Sequence, residues 1–119
     1  MSRISILRTF LAVEGATFVV AAMIHFGVLV AGWEHRAAGI AESVIGIVLL
    51  AALALTAVRP SWTRGLALVA QGFALLGTIV GIVTIVIGIG PRTTPDIVYH
   101  VAIVIVLVWG LVAAARRPS

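Results

Sequence analysis

Four carboxylate or imidazole side chains lie inside stretches that are otherwise almost wholly apolar: Glu14, His25, Glu42 and His100. Gln71 is a neutral companion, and His35 and Asp96 stand nearer the breaks between the apolar runs. An ionisable group in a membrane span is costly, so it normally faces the bundle interior or a water-filled cavity and marks function by default. Two imidazoles with one carboxylate suit Zn²⁺ or non-haem Fe²⁺, and an open coordination position would admit water or substrate. The expected ligands are His25, Glu42 and His100, with Asp96 and His35 as outer partners or additional ligands. The same two histidines, His25 and His100, could instead hold a b-type haem, with Gly27 and Gly39 leaving room for it.

Spacing orders these residues. Glu14 and His25 are eleven positions apart, and at about 100° per residue they return to within about 20° of one line, some ~16 Å apart along the axis. His35 and Glu42 share a face at a spacing of seven, and Asp96 and His100 are one turn apart. From the ends of the apolar runs, His25 is expected roughly 9 Å below the outer boundary, and Glu42 and His100 near 6 Å. Three helices would thus bring His, Glu and His to similar depth. The plainer reading makes His25–Glu42 and His100–Asp96 structural pairs, with Asp96 favoured by the dipole of its helix.

A deeper pair, Glu14 and Gln71, is expected in the other half of the bundle. Glu14 could carry a proton between a cytoplasmic opening and the outer cluster, with Gln71 assisting. Alternatively the two side chains hydrogen-bond each other and hold two helices together.

The elements that must position these groups are membrane helices. Of 119 residues, 62% are hydrophobic and 10% charged, with a mean hydropathy of +1.25. A soluble domain of this size cannot bury so much apolar surface. The apolar runs cover about 6–31, 38–58, 65–89 and 96–115, each enough for a hydrocarbon core of ~30 Å. The first run is longer than a leader's apolar region and contains Glu14, so it reads as a span. Thr94 is a candidate cap for the last helix, with Pro95 at its first position. The fold expected is an all-α, antiparallel up-down four-helix bundle forming one transmembrane domain over 1–119.

Arginine placement orients it. Arg3, Arg8, Arg59, Arg64, Arg116 and Arg117 fall on one side, and only Arg36 and Arg92 on the other. That bias puts both termini in the cytoplasm of a multi-pass protein of the inner (cytoplasmic) membrane. The net charge of +4 is spread over helix ends rather than one face, which argues against nucleic acid as a partner. Gly77 and Gly81 form a GxxxG, a close-packing signal and a possible homo-oligomer face.

There is no cysteine, hence no disulfide or thiolate chemistry, and no phosphate loop, so a nucleotide is not expected. Three functions fit. The first is a metal-dependent redox or hydrolytic protein acting on a lipophilic substrate, and the second a proton-coupled small-molecule transporter. The third is an accessory subunit of a membrane complex. In length, four helices and a glutamate in the first helix, Glu14, the chain resembles the small multidrug resistance exporters. That resemblance implies proton-coupled export through Glu14. The arginine bias and the three histidines depart from the exporter pattern.

Overall fold

The computed structural model describes residues 1–117, so Ser119 and the end of the 1–119 domain lie outside the described residues. The described chain is all-α: α1 (Arg3–His25), α2 (Arg36–Val58), α3 (Thr63–Val86) and α4 (Thr94–Ala115), with a short 3₁₀ turn, Pro60–Trp62, before α3. Each helix is long and apolar enough to cross a membrane. At 1.5 Å per residue, their 22 to 24 residues make about 33–36 Å.

Polarity is arranged inside out relative to a soluble bundle. The buried stripe of α1 runs through Leu7, Leu11, Glu14, Phe18, Ala22 and His25, and that of α2 through Glu42, Ile45, Leu49, Ala52 and Thr56. In α3 the stripe is Ala67, Ala70, Gln71, Ala74 and Thr78, and in α4 Asp96, Ile103, Leu107, Gly110 and Ala114. Large apolar side chains such as Val69, Ile47 and Ile105 point outward instead, each more than three-fifths exposed. That surface suits hydrocarbon surroundings, and the interior keeps the polar groups. Glu14 and His25 share one face, as their spacing requires.

Helix ends correct the expected boundaries. The first apolar run was expected to be helical to residue 31, but α1 stops at His25. Gly27, with φ +75, takes the left-handed conformation; its N–H bonds Ile24 O, and Val28 N–H bonds Met23 O, a Schellman stop. Gly88, with φ +91, ends α3 in the same way, before the expected residue 89. Apolar composition continued through both turns, but backbone geometry did not. The cap of α4 is also one residue earlier than expected: Thr93, not Thr94, accepts from Asp96 N–H and forms a capping box with it.

Arginines satisfy free carbonyls at several helix ends. Arg3 and Arg64 both donate to Ala114 O, Arg8 to Thr56 O, and Arg92 to Ile85 O and Val86 O. Cations are favoured at helix C-termini by the helix dipole and by the unpaired carbonyls there.

Candidate functional site

His25 is the last residue of α1, and its ring lies between two carboxylates from other helices. Its Nδ1 meets Glu42 Oε1 of α2, and its Nε2 meets Asp96 Oδ1 of α4 at 2.9 Å. All three residues are buried, with 5%, 7% and 9% exposure respectively. The turn after α1 helps to hold the ring: His35 N–H donates to His25 O at 2.8 Å, so the 26–35 segment closes on itself.

The partners assign much of the hydrogen bonding. Asp96 Oδ2 accepts from Thr93 N–H at 3.1 Å and also from the Thr93 hydroxyl. With those donors on it, Asp96 acts as an acceptor, so His25 Nε2–H donates to Oδ1. The remaining proton lies between His25 Nδ1 and Glu42 Oε1, where either group can hold it. Glu42 Oε2 is buried and has no hydrogen-bond partner among the described residues.

His35 and His100 stand close by with different tasks. His35 is the N-cap of α2: its Nδ1 accepts from Ala38 N–H at 3.1 Å, and its Nε2–H donates to Ile89 O at 3.1 Å. Its ring centroid is 6.4 Å from that of His25. His100 Nδ1–H donates to Asp96 O at 2.7 Å, one turn back on its own helix.

Two cavities adjoin the site. One, about 190 Å³, lies between α2, α3 and α4 and is lined by Glu42, His35, Tyr99 and His100 among apolar residues. The other, about 370 Å³, lies along α1 and α4 from Thr17 to His25, with Asp96 and Trp33 at the same end. Tyr99 lines both, and its buried hydroxyl has no partner among the described residues.

The expected ligand set is thus regrouped. His25 and Glu42 come together, but the third member is Asp96 rather than His100. Because α1 ends at His25, this residue sits level with the first turn of α4, while His100 is one turn deeper. Among the described residues no group of three His, Asp or Glu side chains is arranged to hold a metal ion. Both ring nitrogens of His25 are already directed at carboxylates, so no lone pair is left for an ion shared with His35 or His100. The same engagement removes the haem arrangement: His25 and His100 do not present free nitrogens to a common gap. Gly39, expected to leave room, packs instead against the ring of Phe26, and Gly27 against Glu34.

Glu14 and Gln71 are both fully buried, yet they are not hydrogen-bonded to each other. Gln71 Nε2 donates to Ala67 O at 3.0 Å within its own helix. Its Oε1 lies hard against Gly110 of α4 and has no partner, and neither carboxyl oxygen of Glu14 has one among the described residues. Gly77 and Gly81 are turned inward. A Cβ at Gly77 would meet Ile45 at 2.7 Å, and one at Gly81 would meet His100 Nε2 at 3.1 Å. The close approach this GxxxG permits is therefore to α2 and α4 of the same chain, and both glycines line the smaller cavity.

Thr93 and Tyr99 escaped the sequence reading. Thr93 was legible: Thr93-Thr94-Pro95-Asp96 has the spacing of a capping box. Tyr99 had no such signal, because an aromatic residue in an apolar helix is ordinarily packing. The chain matches no protein-family model, no curated protein and no solved structure.

Proposed function

We propose that this is a multi-pass protein of the cytoplasmic membrane that takes up and releases a proton at the Glu42–His25–Asp96 site, coupled to movement of a small lipophilic molecule. The observation that carries the reading is His25, which has one nitrogen on each of two buried carboxylates from different helices. A proton can shift between His25 Nδ1 and Glu42 Oε1 while Asp96, fastened by Thr93, keeps the ring in place. The larger cavity runs from Thr17, one turn from Glu14, toward His25 and Asp96. Glu14 itself does not line it, so in this reading protons pass between Glu14 and the site by way of Thr17.

In this reading the four helices run up and down as antiparallel neighbours. The six arginines near the amino end, the α2–α3 junction and the carboxyl end are cytoplasmic, and the His25 site is near the outer face. The chain has no cysteine, so single replacements Ser2→Cys and Glu34→Cys give a clean test with an impermeant thiol reagent. Labelling of the second alone from outside is the expected result.

The proton reading is tested by infrared difference spectroscopy of the reconstituted protein during a pH titration. A protonated-carboxyl band that appears in the wild type and vanishes in Glu42→Gln is expected, with a changed titration in His25→Asn. A band unmoved by both substitutions would overturn it. So would a stoichiometric metal in protein purified without chelators and lost in His25→Ala, since the ion would then occupy the proton's place.

A further inference from the structure

The smaller cavity has a size and a pattern of free hydrogen-bonding atoms that specify its occupant. At about 190 Å³ it is comparable with the ~150 Å³ apolar cavities that accept benzene, so it admits a ring-sized molecule. Its breadth comes from small residues, Ala38 and Ala41 on α2 facing Gly77 and Gly81 on α3. Val80 and Ile89, both more than half exposed, stand at its rim, where it meets the apolar surface.

The polar residues that line it offer mostly acceptors. Glu42 Oε2 is unpartnered and buried. His100 spends its one ring proton on Asp96 O through Nδ1, so Nε2, facing Gly81, carries a lone pair. The hydroxyl protons of Thr78 and Thr84 go to Ala74 O and Gly81 O, leaving only lone pairs toward the cavity. His35 likewise gives its Nε2–H to Ile89 O. Tyr99 lines this cavity too, but its hydroxyl lies toward Thr17, which lines only the larger one. A cavity rich in acceptors, one of them a carboxylate oxygen, leaves polar groups unpaired unless its guest brings several donors.

We infer that this cavity binds a small lipophilic amine in its ammonium form, with N–H groups on Glu42 Oε2 and His100 Nε2 and a ring-sized apolar body against Ala41, Ile45 and Gly77. The exchange balances in charge. Before binding, Glu42, His25 and Asp96 together hold two protons and one negative charge. The arriving R–NH₃⁺ donates to Glu42 Oε2, the shared proton departs to solvent, Glu42 Oε1 and His25 Nδ1 draw apart as two acceptors, and the cation restores the same net charge. The groups that face Glu42 are His25 from α1, His35 at the start of α2, and Asp96, Tyr99 and His100 from α4; α3 contributes hydroxyls alone. The exchange step rests on the proton reading above, whereas the binding itself does not.

Calorimetry on the full chain in nanodiscs tests this, with benzylamine, benzyl alcohol and toluene as probes, in two buffers of different ionisation heat to count protons. Saturable binding of benzylamine is expected, at least about tenfold tighter than benzyl alcohol or toluene, because only the amine satisfies the carboxylate. About one proton should leave per amine bound. Ala41→Leu fills the cavity without touching the polar groups and should abolish binding while leaving helicity and unfolding temperature unchanged. Glu42→Gln should weaken the amine by about tenfold or more and leave toluene unaffected. Equal binding of toluene and benzylamine would overturn the proposal, as would amine binding indifferent to Ala41→Leu. An intact Glu42 infrared titration with no amine binding would overturn the amine alone. Amine binding without proton release, and with no such titration, would overturn the proton reading and leave the amine site standing.

Discussion

Two polar levels in the same bundle are built on opposite terms. At the His25 level, a carboxylate from α2 and another from α4 converge on one imidazole from α1, and all but one of the ring and carboxyl positions have a partner. At the Glu14 level, a fully buried carboxyl and a fully buried amide each keep oxygens without a partner among the described residues. In an apolar interior a satisfied polar network ties helices together, whereas an orphaned group costs free energy and is kept for some other reason. The first level is therefore expected to hold the bundle and the second to strain it.

The sharpest way to break that contrast is His25→Ala, which leaves Glu42 and Asp96 buried without the imidazole between them. A loss of about 3–5 kcal/mol in unfolding free energy is expected, measured by denaturant titration in micelles. A neutral effect would mean that the two carboxylates find solvent or each other, and the site would be no anchor. Gly110→Ala probes the other level: the new methyl collides with Gln71 Oε1, and a loss of about 1–3 kcal/mol is expected in the same titration. Glu14→Met should act in the opposite direction, stabilising by about 1–2 kcal/mol, because a flexible apolar side chain replaces a group with unpartnered oxygens. Destabilisation there would show that Glu14 is satisfied in the working protein and would erase the difference between the levels. The smallest effect is expected for Thr93→Ala, about 1 kcal/mol from loss of the cap. Because Thr93 also fastens Asp96, a shifted His25 imidazole resonance in nuclear magnetic resonance should accompany it, which a cap remote from the site would not produce.

The sequence made the site partly legible. Glu14 and His25 fall on one line at helical spacing, and both are on the buried stripe of α1. The pairing of His25 with Glu42 was foreseeable from matching depth across a short connection. Asp96, an outer partner or additional ligand in the sequence, takes the place expected for His100, because the depth of His25 is measured there from the end of an apolar run. The helix in fact ends at His25, one residue before Phe26 and two before the left-handed Gly27. That shift of six residues, ~9 Å of helix, moves the ring to the level of Asp96 and away from that of His100. Gly27 itself was in view, but a glycine inside an apolar run does not announce whether it bends the chain or packs it.

Gly77 and Gly81 show the same limit. Their spacing correctly marks a close helix approach, yet it cannot say which helix approaches.

What the sequence determined by itself is what depends on composition and period: four apolar helices, the shared face of Glu14 and His25, and the small set of residues too polar to face hydrocarbon. Burial cost decides those features residue by residue, with no need to know the neighbours. Tertiary structure alone decided which polar groups meet, because a hydrogen bond between helices depends on rotation and register to within about 1 Å, and these follow from where each helix stops. It also decided that Gln71 turns to its own helix rather than to Glu14, and that small side chains on α2 and α3 leave a cavity beside Glu42. Both result from how large and small residues of different helices fall opposite one another, which no single stretch of chain contains.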